Sequence, residues 1–194
     1  MKLSMKLGLL VGMLSIGLVN CAAKKIPKAP PDPKFTSIQK ISVLPILDAR
    51  PGSKAKVNLR SLQSSVVNTL KRKHYPVGAE EATSSGGQID VDDLESADPG
   101  VVKKLGPDAD RWVMIVMLND VHSKITFGST GNAEMSGYLF DKADGSLVWK
   151  GKGTGTAGQG GLLGMTMKGM MNSAALESAV AALLSTMPNL PKSR

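Results

Sequence analysis

Aromatic residues are scarce in this chain: they make up 4% of 194 residues, as two Trp, two Tyr and three Phe. Surfaces that stack nucleic-acid bases interleave aromatics with dense Arg/Lys runs, and no such run occurs. There is a single cysteine, Cys21, so no internal disulfide framework can form. The two histidines, His74 and His122, are far apart and lack a companion cluster of Cys, His or carboxylates. A metal centre needs three or four converging ligands, so none is expected. Phosphate-binding loops are missing as well. The glycine-rich stretch 151–164 contains neither GxxxxGK[ST] nor a GxGxxG that opens a helix after a strand. It reads as a bulged edge strand and a flexible joint. Ser84, Ser85, Gly86 and Gly87 do not form a nucleophile elbow. Asp120 and His122 sit two apart and so face one side of a strand, which is also what polar residues do where a strand leaves the core. These absences predict a protein that is not an enzyme, with no cofactor and no metal.

Charge and its placement come next. The net charge is +8, and removing the first 20 residues takes away Lys2 and Lys6. Those lysines precede an uncharged apolar run at 7–19, LGLLVGMLSIGLV. Its length suits a signal-peptide core and falls short of the roughly 20 residues that span a bilayer. The run ends Leu18-Val19-Asn20-Cys21-Ala22. That pattern resembles the lipobox of bacterial lipoproteins, with Asn20 standing where Gly, Ala or Ser is usual. The resemblance implies cleavage before Cys21 and lipidation of its thiol. Each buried CH₂ of the attached acyl chains would contribute about 0.8 kcal/mol to anchoring. Ala22 follows the cysteine in place of Asp. Under the sorting rule of such lipoproteins, this implies the outer membrane with the domain facing the periplasm.

Residues 22–36, AAKKIPKAPPDPKFT, contain four prolines and four lysines. Little there can be buried, and proline-rich chain extends as a semi-rigid spacer. The expected organisation is a signal peptide over 1–20, lipidated Cys21 with its tether to 36, and one domain over 37–194.

Within the domain, 38–47 is rich in aliphatic and β-branched residues and predicts a strand, with Pro45 near its end. Apolar residues at 59, 62, 66, 67 and 70 lie on one face of a helix over 57–73. That helix closes on Lys71, Arg72 and Lys73, where the helix dipole favours cations. A short strand follows over 74–78. Asp98 is placed to cap a helix that begins at Pro99 and runs through Leu105. Residues 111–121, RWVMIVMLNDV, are apolar on both alternating sets and predict a strand buried on both faces. Strands at 131–141 and 146–155 flank a turn at 142–145, and a last helix covers 162–187. This order predicts an α/β domain of anticodon-binding-domain-like type, a mixed sheet of about five strands with helices packed on it.

The last helix has two halves. Leu176, Val180, Leu183, Leu184 and Met187 form one apolar stripe, as a core-facing helix does. In the first half Met165, Met167, Met170 and Met171 point around much of the circumference, beside Gly164 and Gly169. Methionine adapts to irregular partners, and small residues allow close approach. These six residues are the candidate partner-binding surface, with core filling as the alternative use of the methionines.

Three features together resemble a known group. They are the Cys21 lipobox with its Pro/Lys linker, the strand-loop Val43-Leu-Pro-Ile-Leu-Asp-Ala-Arg-Pro51, and the hairpin from Tyr138 to Gly151 followed by a glycine-led helix. The chain resembles small outer-membrane lipoproteins of the neisserial lipoprotein-antigen type. These are related in fold to the TolB amino-terminal domain, CsgG and LpoB. The resemblance implies a non-catalytic protein that oligomerises or joins an envelope transport or secretion complex. The alternative it implies is an activator of a peptidoglycan synthase.

Overall fold

The computed structural model describes residues 33–52, 56–79, 94, 96, 98–126, 128–161 and 168–190. A 3-10 turn, Pro33–Ser37, leads into β1 (Ile41–Val43) and β2 (Leu47–Asp48). Then follow α1 (Leu59–Arg72), β3 (Val77–Ala79), the one-turn helix α2 (Pro99–Val102), β4 (Trp112–Thr126), β5 (Gly128–Asp141), β6 (Ser146–Gly160) and α3 (Lys168–Ser185). The α/β domain expected from the sequence is present: an open mixed sheet in the order β3-β1-β4-β5-β6, with β2 also paired to β4. The pairs of β1 with β3 and β4 are parallel, while β4, β5 and β6 form an antiparallel meander.

Local chemistry explains where elements differ from the expected boundaries. The strand predicted over 38–47 is two strands, because Pro45 has no N–H for the ladder. The carbonyl of Val43 instead accepts from the buried Gln63 amide at 2.9 Å. α1 starts two residues late, at an Asn58 cap whose Oδ1 accepts from Ser61 N at 3.0 Å. The next strand begins at Val77 rather than His74. His74 is left-handed with φ 70°, and Tyr75 N bonds back to Leu70 O at 3.1 Å, so the helix end occupies those residues. Asp98 caps as predicted, accepting from Gly100 N at 2.7 Å and Val101 N at 3.1 Å, but α2 stops at Val102. The meander strands run longer than expected, and β6 takes in the glycine-rich residues to Gly160. It is an edge strand, as predicted, with its register irregularity at Val148 rather than among the glycines.

Two apolar layers flank the sheet. On one face α1 and α3 cover Ile41, Val43, Met114, Val116, Leu118, Met135 and Leu139. On the other, Leu94, Val102 and Leu105 cover Val113, Ile115, Met117, Tyr138 and Phe140. Residues 112–118 of β4 are buried throughout, because both layers press on them. Each buried aliphatic or aromatic side chain there contributes about 1.5–3 kcal/mol. Phe35 is also in the first layer, so packed chain begins inside the stretch read as tether.

α3 lies unusually close to the meander. A Cβ at Gly153 would overlap the Ala179 carbonyl and Leu183 N, and one at Gly155 would overlap the Ala175 carbonyl and Ala179 N. Gly131 meets the carbonyl of Met171 in the same way. The Trp149 ring lies over Gly137 and Gly151, and its Nε1 donates to Thr186 Oγ1 at 3.2 Å. Val180, Leu183, Leu184 and Met187 are buried as the stripe predicted.

A buried carboxylate fixes the loops at the start of β4. Asp141 accepts from Arg111 Nε at 2.8 Å and Nη2 at 2.7 Å, and from Ala143 N at 3.0 Å. The Arg111 guanidinium, lying 4.9 Å over the Trp112 ring, holds the Asp141 carboxyl below its ordinary value. Asp110 is lowered too, first by the hydroxyl of Ser42 at 2.6 Å and then by Lys40.

Two predictions follow from this packing. Gly155→Val places a branched side chain against helix backbone, and urea unfolding should show a loss of about 3 kcal/mol, whereas Gly160→Val, with open space around it, should cost far less. The lowered carboxylates are charged in the fold at a pH where the unfolded chain takes up protons. Their contribution is present above about pH 4 and lost as pH falls through the folded values. Asp141→Asn should therefore cost about 2 kcal/mol at pH 7 and flatten the acid limb of a stability profile.

Candidate functional site

The distal end of the meander is where the candidate surface lies. There β4 turns into β5, β6 ends, and α3 begins. The first turn of α3 is set over β5 by Gly131, whose register partner is Ser123 of β4. Ile125 comes next outward on that face of β4, and it is 45% exposed. Met170, in the first turn of α3, is 61% exposed. These two are the exposed large hydrophobics among the described residues. Apolar side chains left in water on a rigid frame mark association surfaces more than isolated polar ones do.

Of the six residues predicted for this surface, Met170 and Gly169 are exposed and Met171 is half-buried against the sheet. Gly169 has open space around its Cβ position, so nothing within the described chain approaches it closely. Met165, Met167 and Gly164 lie outside the described residues, as does Cys21. Sequence reading passed over Ile125. Its signal was there in the spacing from Val121, which continues the buried face of β4 beyond the core. It also passed over Gly131, Gly153 and Gly155 as the floor of α3, although alternate glycines at 151, 153 and 155 mark one face of a strand.

Polar groups at this end are incompletely satisfied. The Ser123 and Ser129 hydroxyls and Asn172 Oδ1 are shielded from solvent without a hydrogen-bond partner among the described residues. Such groups cost about 1–3 kcal/mol each when left unpaired. Asn172 also lines a groove of about 190 Å³ between α1 and α3, with Lys56, Asn58, Ser61, Gly169 and Glu177.

The opposite face of the distal sheet is polar. A bulge at Asn119 shifts the register after Leu118, and the Asn119 amide donates to Ser136 Oγ at 2.8 Å. Beyond the bulge, Asp120 and His122 form an exposed pair at 2.7 Å between Oδ2 and Nδ1. Glu134 and Asn132 stand opposite them on β5. Asn132 Oδ1 in turn accepts from Thr156 Oγ1 at 3.1 Å. Nearby, Arg50 is clamped by both oxygens of Asp48 at 2.7 Å, and its pKa is raised first by that hydrogen bond and further by Asp120. Among the described residues no three His, Cys, Asp or Glu side chains converge to hold a metal ion. No described helix is long and apolar enough to cross a membrane. The arrangement is a polar face with a solvent-exposed His–Asp pair.

With this geometry established, comparison with solved structures is informative. The PelC dodecamer from Paraburkholderia phytofirmans superposes with a TM-score of 0.52 at 19% identity, over 84% of this chain and 96% of that one. The chain shares its fold. Weaker likenesses include lipoprotein GNA1162 from Neisseria meningitidis, at a TM-score of 0.46 and 21% identity, covering 69% of this chain and 96% of that one. Another is the LpoB C-terminal domain from Salmonella enterica, at 0.35 and 12%, covering 59% and 80%. The neisserial lipoprotein and LpoB, expected from the motifs, are thus among the similar structures. No protein-family model matches the sequence, and no curated protein is similar to it.

Proposed function

We propose that this chain is a membrane-anchored periplasmic lipoprotein, a non-catalytic assembly component of a cell-envelope transport or secretion complex. Its partner surface is the distal end of the meander, centred on Met170 and Ile125. The exposure of these two apolar side chains on a rigid frame carries the reading. α3 cannot shift to cover Met170, because Gly131, Gly153 and Gly155 seat it backbone to backbone on the sheet. Burial by a partner would remove that surface from water. The adaptable methionines of the same helix suit an irregular contact.

Other observations agree with this role. The apolar run at 7–19 and the Leu18–Cys21 pattern support export and lipidation at Cys21. Ala22 supports the outer membrane as the destination. PelC, which has the same fold, is a dodecamer, and that supports self-association here.

Crosslinking of the full-length chain in its native membrane tests the proposal. A ladder of homo-oligomers, or one discrete larger complex, is the expected product. Met170→Glu combined with Ile125→Glu should weaken it about tenfold or more without changing the unfolding midpoint, since both residues are exposed. A chain that stays monomeric in detergent and captures no envelope protein would sink this reading.

A further inference from the structure

We propose that the end of the domain opposite Met170, where the chain enters from its amino-terminal side, is a docking surface for an anionic lipid bilayer. The inference rests on the anchor reading of Cys21 and adds a second, electrostatic contact to it.

Strand register defines that end. The starts of β1, β3 and β4 are level, with Ile41 beside both Val77 and Trp112. The finish of β5 and the start of β6 join them through Asp141. The described chain enters here and is held: Phe35 is buried, and Lys34 Nζ contacts Asp144 Oδ2 at 2.6 Å and Ser146 Oγ at 2.7 Å.

The same end presents cations on both sides of the sheet. Lys71 and Arg72 are exposed in the last turn of α1. Lys103 and Lys104 are exposed in the turn between α2 and β4, beneath the other apolar layer. Lys71, Lys103 and Lys104 have no acidic partner among the described residues. The carboxylates at this end are mostly turned to internal work. Asp110 binds Ser42 and Lys40, Asp141 binds Arg111, Asp144 binds Lys34, and Asp98 caps α2. Among the described residues at this end, Asp108 is the exposed acid left over. The outward charge of those described residues is positive, split into two pairs that straddle the sheet.

A planar anionic surface can meet both pairs at once, which a single small acid cannot. Proline-rich chain extended at about 3.1 Å per residue would reach roughly 40 Å over residues 21–32, so a lipid on Cys21 would keep this end at high local concentration beside the headgroups. Basic residues are drawn to such a surface within about a Debye length. β4 has 15 residues, about 50 Å of strand, so Met170 and Ile125 at the far end would point away from the bilayer.

The test uses the chain from Cys21 onward, coupled through that thiol to a maleimide lipid in nanodiscs doped with a gadolinium-chelate lipid. Amide signals of residues 71–74 and 103–111 are compared with those of 124–130. In discs of about one-third phosphatidylglycerol, attenuation at the basic end should exceed that at the distal end and exceed its own value in phosphatidylcholine by about twofold or more. The excess should vanish in about 0.5 M NaCl and in Lys71→Gln/Lys103→Gln/Lys104→Gln, three exposed changes whose spectra report an intact fold. Equal attenuation in neutral and anionic discs would overturn the proposal, because the tether alone would then account for proximity. So would preferential binding of the basic end to an acidic envelope protein in discs where lipid composition has no effect. Palmitate labelling of wild type against Cys21→Ser checks the anchor by itself. Labelling without composition dependence rejects docking alone, and docking without labelling rejects the anchor.

Discussion

Backbone-to-backbone packing of α3 on the meander is the contact on which the rest of the domain depends. Three glycines at 131, 153 and 155 make it possible, since any Cβ there would occupy the helix's own carbonyl and amide positions. The close seat lets short residues such as Ala175 and Ala179 be fully buried, and it brings Leu183 and Leu184 down onto Met135 and Leu139. It also locks the helix in rotation and in register along its axis. The exposure of Met170 follows from that lock. A helix held by bulkier side chains would sit higher and could slide or roll to hide an apolar residue.

The sheet is built from unequal parts, and the inequality gives the molecule two ends. Short parallel strands β1, β2 and β3 cover only the first half of β4, beneath α1 and the Leu94–Val102 layer. The meander continues alone beyond Asn119, with α3 on one face and water on the other. At the first end, internal ion pairs and a helix cap occupy most of the described carboxylates, and Lys71, Arg72, Lys103 and Lys104 are outward. At the second, core layers run out before the strands do, and Ile125 is left beyond them. A tether attached at the basic end and a partner held at the apolar end would divide the work between opposite poles of one rigid body.

Much of this could be read from the residues. The apolar run 112–118 announced a strand covered on both faces, and two layers cover it. The Leu176–Met187 stripe announced a core helix, and its spacing of three and four is what the sheet buries. Boundaries were less legible where two local rules compete. Pro45 sits in a sequence of high β propensity, and its missing N–H splits the strand, while the Gln63 amide donates to the Val43 carbonyl. His74 heads the segment expected as a strand, yet the end of α1 claims it. The glycines of β6 were expected in an edge strand to 155, and the strand continues to Gly160.

What the sequence by itself determined was the kind and order of elements and the buried faces of α1, β4 and α3. These depend on periodicity and composition, which are local properties of the chain. Which glycines carry a helix, which carboxylates neutralise which cations, and which hydrophobic residues are left in water were decided by the tertiary structure alone. Each of those outcomes depends on residues tens of positions apart, such as Gly131 and Met171, Arg111 and Asp141, or Lys34 and Asp144, and no local pattern records their meeting.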